Sequence, residues 1–240
     1  MKIAPSKLQM QGHYDPSEGF TLYDDFLYSA ITDVDLWLPE VEADGTAQST
    51  VAIDAGEHGG VLLGTCGAVA NDFALVSSEL VFNTTYSMYC ETYFTPAASP
   101  DCFAFGFSDA QTESNGALVT NATTASGALV PTDAALFVAE SANNSTMKLM
   151  AGIAKAGTDV VSELNTIYTL TNSTAVKLGI EINADRRVKF YVDNALLFET
   201  ADEAVTTNIA MGVILAMSNV AGTIVPTWSA DWISVFNARV

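Results

Sequence analysis

Basic residues are scarce in this sequence. Nine Lys and Arg stand against 28 Asp and Glu, so the formal net charge is −19 over 240 residues. A field of this sign repels phosphate backbones and anionic lipid headgroups. We therefore expect neither nucleic acid nor a membrane surface as a partner. The charge could attract Ca²⁺ or a basic protein surface, but solubility and repulsion between particles are the simpler explanation.

Histidine and the common catalytic motifs are also nearly absent. The two histidines, His13 and His58, lie in the N-terminal stretch and in the glycine-rich segment 56–60, so neither is expected on a regular strand. They cannot supply a Ser-His-Asp arrangement, and the sequence holds no GxSxG, P-loop or GxGxxG motif. The sequence therefore predicts a protein that is not an enzyme and that needs no organic cofactor.

Cysteine is rare as well. Cys66, Cys90 and Cys102 make an odd count, which does not indicate a disulfide framework, and no CxxC or Cys/His spacing indicates zinc. Cys90 and Cys102 could pair across neighbouring strands, but buried free thiols are the favoured prediction.

Long apolar segments are missing. The longest apolar run, residues 209–217, is too short to cross a bilayer. The first residues, MKIAPSKLQMQG, lack the apolar stretch of a signal peptide. We therefore expect the protein to be made in a reducing cytoplasm without a signal peptide.

The clearest pattern that is present is the alternation in residues 176–200, VKLGIEINADRRVKFYVDNALLFET. A period of two is typical of a half-buried strand. The apolar members of two successive strands are Leu178, Ile180, Ile182, Val188, Phe190 and Val192. Asp193-Asn194 predicts a tight turn into a third strand with Leu196 and Phe198, because Asn tolerates the left-handed backbone of hairpin turns. A three-stranded meander with one apolar face must lie on a second layer.

Similar patterns predict strands along most of the chain, and no helix of three turns is indicated. The predicted strands are 19–27, 50–53, 60–65, 72–82 (one or two), 86–95, 102–108, 135–140, 146–154, 158–164, 168–171, 209–218 and 227–238. Residues 209–218 are nearly all apolar, which predicts a strand that is buried on both sides. The fold class is therefore all-β, a two-sheet antiparallel β-sandwich. We expect one domain over residues 20–240, preceded by an irregular N-terminal arm, residues 1–19.

The last predicted strand, TWSADWISVFNA, is expected to alternate without interruption. One side would then carry Trp228, Ala230, Trp232, Ser234 and Phe236. The other side would carry Asp231, Ile233, Val235 and Asn237.

Three segments together resemble a known superfamily. They are the opening Asp24-Asp25-Phe26, the strand–turn–strand KFYVDNALLF and the terminal WSADWISVFNARV. The chain resembles the concanavalin A-like lectin/glucanase (LamG-type) jelly rolls, a likeness that implies that the first and last strands lie side by side in one sheet. Within this superfamily it is most similar to structural and decoration proteins of tailed-phage virions. It shares their leaderless start, their Ala/Thr/Gly/Asn-rich loops and their low charged fraction.

This resemblance implies a non-enzymatic virion structural protein, a capsid decoration or cement protein that stabilises the phage head. Its partners would be the major capsid protein or other virion proteins, and it would form a homo-oligomer, with a trimer favoured. The arm 1–19 and the irregular segment 109–133 are the expected contact elements. The alternatives are a carbohydrate-binding module on a virion or cell surface and a glycan-cleaving enzyme of the same fold.

Candidate catalytic and metal residues are few. Glycoside hydrolases of this fold carry Glu-x-Asp-x-Glu on a strand, whereas Glu40-Val41-Glu42-Ala43-Asp44 has another order and is expected to be an acidic loop. Lectins of this fold hold Ca²⁺ with Asp and Asn from a loop. Hard oxygen ligands of this kind are offered here by Asp101, Asp109, Asn115 and Asn121. The loops of any acidic β-protein would offer as much.

Two groups of residues are candidate binding sites. Four of the nine basic residues, Lys177, Arg186, Arg187 and Lys189, lie close together and would contact an acidic patch on a neighbouring subunit or capsid protein, unless they form a solvated face. Tyr89, Tyr93 and Tyr191 could form an aromatic platform for a glycan, although packing in the core or an interface is favoured.

Overall fold

The structure is a computed structural model of the chain. It describes residues 19–27, 30–31, 36–41, 49–54, 60–69, 72–96, 102–110, 119–120, 128–129, 131–140, 147–159, 166–219 and 225–238. Apart from Gly19, the predicted arm lies outside these residues, and so does most of the segment 109–133. The contact roles of both, and the division of the chain at residue 20, stay predictions.

Eight strands form the first sheet, sheet A. They are β1 (Gly19–Asp24), β3 (Thr50–Asp54), β4 (Val61–Thr65), β7 (Met88–Pro96), β15 (Val176–Ile182), β16 (Val188–Val192), β17 (Ala195–Glu199) and β19 (Thr227–Ala238). Their order is β17-β16-β15-β7-β19, after which β19 pairs with β4 along its first half and with β1 along its second half, and β3 pairs with β4.

Nine strands form the second sheet, sheet B. They are β2 (Trp37–Val41), β5 (Asp72–Ser78), β6 (Phe82–Asn83), β8 (Cys102–Ser108), β11 (Ala134–Glu140), β12 (Met147–Lys155), β13 (Thr158–Asp159), β14 (Thr166–Leu170) and β18 (Ala210–Asn219). Their order is β13-β12-β11-β8-β18-β5-β2, with β14 beside β12 and β6 beside β18. A short hairpin of β9 (Val119–Thr120) and β10 (Ala128–Leu129) is separate from both sheets.

The main core lies between the two sheets. Alternate residues of the strands point inward, and aromatic rings of sheet A meet those of sheet B. The ring centroids of Phe94 and Phe103 are 4.5 Å apart, and those of Phe137 and Phe190 are 5.0 Å apart. Burying one such side chain stabilises the fold by about 1.5–3 kcal/mol. The predicted antiparallel two-sheet sandwich is therefore confirmed.

Several finer predictions are also confirmed. β1 pairs with β19, so the first and last described strands are neighbours. The meander is β15-β16-β17, and Asp193 and Asn194 have φ angles of 48° and 68°, as a tight hairpin turn requires. The three cysteines are buried free thiols. Within the described part of the chain, no helix has the length and apolarity to span a membrane.

Sheet B is apolar on both of its sides. The side that turns away from sheet A carries a second buried cluster, which includes Phe73, Leu75, Leu136, Val138 and Ile214. Leu129 of β10 packs against this cluster. The strand β18 is accordingly buried on both sides, as its apolar sequence predicts.

The alternation predicted for the last strand is wrong. The pairing of β19 with β7 shifts between Ala230 and Trp232, so one extra residue, Asp231, interrupts the strand. A β-bulge of this kind reverses the sides on which later side chains point. Trp228 and Ala230 therefore lie in the core with Ile233 and Val235, while Trp232, Ser234 and Phe236 lie on the opposite side.

Two smaller predictions also need correction. Glu40 and Val41, expected in an acidic loop, belong to β2, while residues 42–48 lie outside the described part. β2 is an edge strand, where Pro39 is tolerated because its missing N–H breaks no central ladder bond. Leu196 of the meander is exposed rather than buried, because the pairing of β16 with β17 shifts between Phe190 and Tyr191 and places Leu196 opposite the outward-pointing Tyr191.

Candidate functional site

The side of sheet A that turns away from the core is the candidate site, and we call it the outer face. Met88, Cys90 and Phe94 of β7 point into the core, so the residues between them point outward. The antiparallel register places their neighbours on the same side. The outer face comprises Tyr23, Tyr89, Glu91, Tyr93, Lys177, Gly179, Glu181, Lys189, Tyr191, Leu196, Trp232, Ser234 and Phe236.

Glu91 lies at the centre of the outer face. It is only 3% exposed. Its Oε2 accepts a hydrogen bond of 2.7 Å from the Tyr89 hydroxyl and lies 2.7 Å from Lys177 Nζ. Burial, with the nearby Glu91 charge and this hydrogen bond, raises the pKa of Tyr89 far above its ordinary value. Tyr89 therefore remains a neutral donor to a buried, ion-paired carboxylate.

Gly179 leaves the space that this hydrogen bond needs. It is opposite Glu91 in the β15–β7 pairing. A Cβ atom at this position would lie 2.6 Å from the Tyr89 hydroxyl oxygen, closer than real Cβ contacts allow. The absence of a side chain at residue 179 thus lets the Tyr89 ring lie over β15 and reach Glu91.

Glu181 forms a second cluster of the same composition. Its Oε1 lies 3.2 Å from Lys189 Nζ, and its Oε2 accepts a hydrogen bond of 2.8 Å from the Tyr191 hydroxyl. Burial and this hydrogen bond raise the pKa of Tyr191 above its ordinary value. Glu181 is opposite Tyr89, whose ring meets that of Tyr191 edge-on at 6.5 Å. The two glutamate clusters are therefore adjacent.

Exposed aromatic rings lie beside these clusters. The bulge in β19 places Trp232 on the outer face, where its ring stacks on Tyr23 with centroids 6.3 Å apart. Tyr93 is directly opposite Trp232 in the pairing of β7 with β19. Tyr23 is 59% exposed and Tyr93 is 36% exposed. One ring on each of β1, β19 and β7, strands about 4.7–4.9 Å apart, makes a row of aromatic side chains.

The four predicted basic residues all have carboxylate partners within the chain. The pairs are Lys177 with Glu91 (2.7 Å), Lys189 with Glu181 (3.2 Å), Arg187 with Glu199 (2.9 Å) and Asp202 (2.8 Å), and Arg186 with Glu203 (3.3 Å). Lys177 and Lys189 lie on the outer face. The hydrogen bonds that Arg187 donates to Asp202 and Glu199 raise the pKa of Arg187 above its ordinary value. Contact with a partner protein through these residues stays a prediction.

The three predicted platform tyrosines do share the outer face, but they differ in exposure. Tyr89 is 4% exposed and uses its hydroxyl internally, whereas Tyr93 is open to solvent. The sequence reasoning missed Glu91, Glu181 and Trp232. A glutamate between two tyrosines on one strand side is a readable signal for Glu91. The position of Trp232 depends on the bulge, which the local pattern does not show.

The predicted calcium ligands can be followed only in part. Asp101, Asn115 and Asn121 lie outside the described residues, and Asp109 lies just after β8. Among the residues that the structure describes, no group of three or more His, Cys, Asp and Glu side chains is placed to hold a metal ion. The calcium expectation therefore rests on the sequence alone.

Comparison with known proteins gives no family. No protein-family profile matches the chain, and no curated protein matches it.

Solved structures, in contrast, share the fold. The carbohydrate recognition domain of Emp47p is 13% identical, with 95% of this chain and 100% of that chain covered and a TM-score of 0.60. A β-glucanase of Bacillus licheniformis is 12% identical, with coverages of 92% and 99% and a TM-score of 0.57. A protein of unknown function from Shewanella oneidensis MR-1 is 18% identical, with coverages of 99% and 95% and a TM-score of 0.59.

At these identities the likeness concerns the fold alone. Together with the two antiparallel sheets and the pairing of β1 with β19, it shows that the chain has the jelly-roll sandwich fold of these solved structures. The structures of this fold named above include a carbohydrate recognition domain and a glucanase.

Proposed function

We propose that this protein binds carbohydrate on the outer face of sheet A and does not cleave it. The observation that carries the proposal is the row of Tyr23, Trp232 and Tyr93 beside the hydrogen-bonding clusters of Glu91 and Glu181. The fold supports it, because a carbohydrate recognition domain and a glucanase have the same architecture.

The chemistry of the outer face suits a sugar. A pyranose ring has C–H groups that pack on an aromatic face and hydroxyl groups around its rim. Amphipathic aromatic side chains supply the first contact at small cost in side-chain freedom. Polar groups held in place by other hydrogen bonds supply the second. Lys177, Glu181 and Tyr191 are partly exposed and already fixed, so they can orient hydroxyl groups without being ordered first.

Burial of Glu91 favours binding over cleavage. Glycoside hydrolysis commonly needs two carboxyl groups that flank the scissile bond and contact the reacting atoms. Glu91 and Glu181 occupy diagonal positions on neighbouring strands, but Glu91 is almost fully covered. We therefore expect no release of reducing ends from any polysaccharide that the protein binds.

The virion role that the sequence favours stays a prediction, as do a capsid partner and a trimer. The similar folds named above favour the carbohydrate-binding alternative. The two roles are compatible, since a carbohydrate-binding protein can be carried on a virion.

Binding is tested on a glycan array, followed by titration calorimetry with the best glycan. We expect Trp232→Ala to weaken binding by more than about tenfold, the size of effect typical of a central aromatic contact. Tyr86→Ala is the matched control, because this half-buried aromatic lies between β6 and β7 and is not one of the residues of the outer face. An array without any binding, or an equal loss in both variants, would overturn the proposal.

A further inference from the structure

The charges of the outer face are compensated inside the chain. Lys177 is paired with Glu91, and Lys189 with Glu181, so each lysine of the face has a carboxylate within 4 Å. In the aromatic row, burial raises the pKa of Tyr23 above its ordinary value, and the negative charges of Asp25 and Asp24 add to this effect. The face thus offers an approaching anion no uncompensated cation among its described residues.

Lys177 is a cation beside the aromatic row, and it contacts both Glu91 and the Trp232 ring. Its Nζ is 2.7 Å from Glu91 Oε2 and 5.6 Å from the centre of the Trp232 ring. Its side chain is 14% exposed. Lys177 keeps N–H donors that a ligand hydroxyl can use, but Glu91 already compensates its charge. A ligand carboxylate or sulfate would have to share this ammonium with the buried Glu91 carboxylate, and drawing Lys177 away from Glu91 would be strongly unfavourable.

The net charge of the whole molecule also disfavours acidic ligands. The formal net charge of −19 repels polyanions before they reach the face. Repulsion at long range and occupied lysines at short range therefore both disfavour acidic sugars, whereas hydroxyl groups meet no such barrier.

We infer that the glycan held by the outer face is uncharged, and that chains with uronate, sulfate or sialic acid are excluded by the pairing of Lys177 with Glu91. This inference rests on the proposed carbohydrate binding. It narrows the ligand to neutral hexose or pentose chains, and it makes Glu91 a specificity-determining residue that acts through Lys177.

The test compares neutral and acidic polysaccharides on the wild-type protein at about 0.15 M salt, where long-range repulsion is largely screened. A mixed-linkage β-glucan, xylan and galactomannan represent the neutral class, and polygalacturonate, alginate and heparin represent the acidic class. We expect binding in the neutral class only, with an affinity that does not change with salt. Preferential binding of the acidic class would overturn the inference while the proposed function stands. Binding in neither class would overturn both.

The Glu91→Gln variant tests whether the pairing of Lys177 with Glu91 excludes acidic glycans. It removes the partner charge of Lys177, and we expect affinity for polygalacturonate to rise on the order of tenfold. The matched control is Glu79→Gln, which makes the same change in net charge at an exposed position after β5. Circular dichroism verifies that both variants fold. If Glu91→Gln does not fold, the inference is judged from how the affinity of the wild-type protein for the glycans changes with salt. No gain in Glu91→Gln, or an equal gain in the control, would contradict the assignment to this pair.

Discussion

At the scale of single residues, the outer face depends on one missing side chain. The Tyr89 hydroxyl reaches Glu91 across the space above Gly179, and the two strands that carry these residues are far apart in sequence. The tyrosine–glutamate alternation of β7 can be read from the sequence. The need for glycine at residue 179 cannot, because it arises only once β15 lies beside β7.

Gly179→Ala tests this close approach. The new methyl group would displace the Tyr89 hydroxyl, and overpacking of this kind costs about 1–3 kcal/mol of unfolding free energy. Urea unfolding of the single variants and of Gly179→Ala with Tyr89→Phe completes a double-mutant cycle. We expect the double variant to lose less stability than the two single losses added together. Strict additivity would show that the hydroxyl and the methyl group do not compete for the space.

The raised pKa of Tyr89 predicts a fall in stability at high pH. The folded state keeps the phenol protonated, while in the unfolded chain it ionises near its ordinary value of 10.0. This contribution is therefore fully present below pH 10 and is lost as the pH rises above it. Tyr89→Phe should show a shallower alkaline decrease in unfolding free energy, measured from pH 8 to pH 11. Tyr86→Phe, the same substitution at a half-buried tyrosine between β6 and β7, is the control, and equal slopes in the two variants would contradict the prediction.

At the scale of elements, the sequence predicts the bounds of the strands better than it predicts which side of the sheet each side chain faces. The bounds of β8 and β19 agree with the sequence patterns, because alternation and turn residues are local signals. The bulge at Asp231 is not local in this sense: no Gly or Pro marks it, and it follows from how β19 pairs with β7. Trp232 could therefore not be assigned to the outer face in advance.

Two leucines of the meander test which side chains face the core and which face solvent. Leu178 of β15 is fully buried, whereas Leu196 of the edge strand β17 is about half exposed. Leu178→Ala should cost about 2–5 kcal/mol of unfolding free energy, as for other core leucines. The same substitution at Leu196 should change it by less than about 0.5 kcal/mol. Comparable losses in the two variants would mean that β17 packs against something that covers its exposed side.

At the scale of the whole molecule, acidic charge opposes compactness. The net charge of −19 is spread over a chain with only nine basic residues, four of which are engaged around β15 and β16. The fold class could be predicted because many strands contribute evidence to it. The location of the candidate site could not, since the site gathers residues from β1, β7, β15, β16 and β19.

Added chloride should therefore stabilise the protein. Screening weakens the mutual repulsion of surface carboxylates, while the covered pair of Lys177 and Glu91 is screened much less. We expect the melting temperature to rise between about 0.01 M and 0.5 M sodium chloride. Sucrose at matched osmolality is the control for general exclusion effects. A fall in melting temperature would mean that exposed ion pairs outweigh the repulsion.

Sheet B is sealed on both sides, while sheet A has one open side, and this asymmetry governs how the protein can evolve. Along β8 and β18 almost every position is closed to polar replacement, because both sides of these strands are packed. Along β7, β15 and β16 every second residue lies in the interior; of the residues between them, Tyr89, Glu91 and Gly179 depend on one another, whereas exposed ones such as Tyr93 can change without disturbing the fold. Variation among related chains should therefore concentrate at those exposed positions, where ligand preference can drift while the architecture persists.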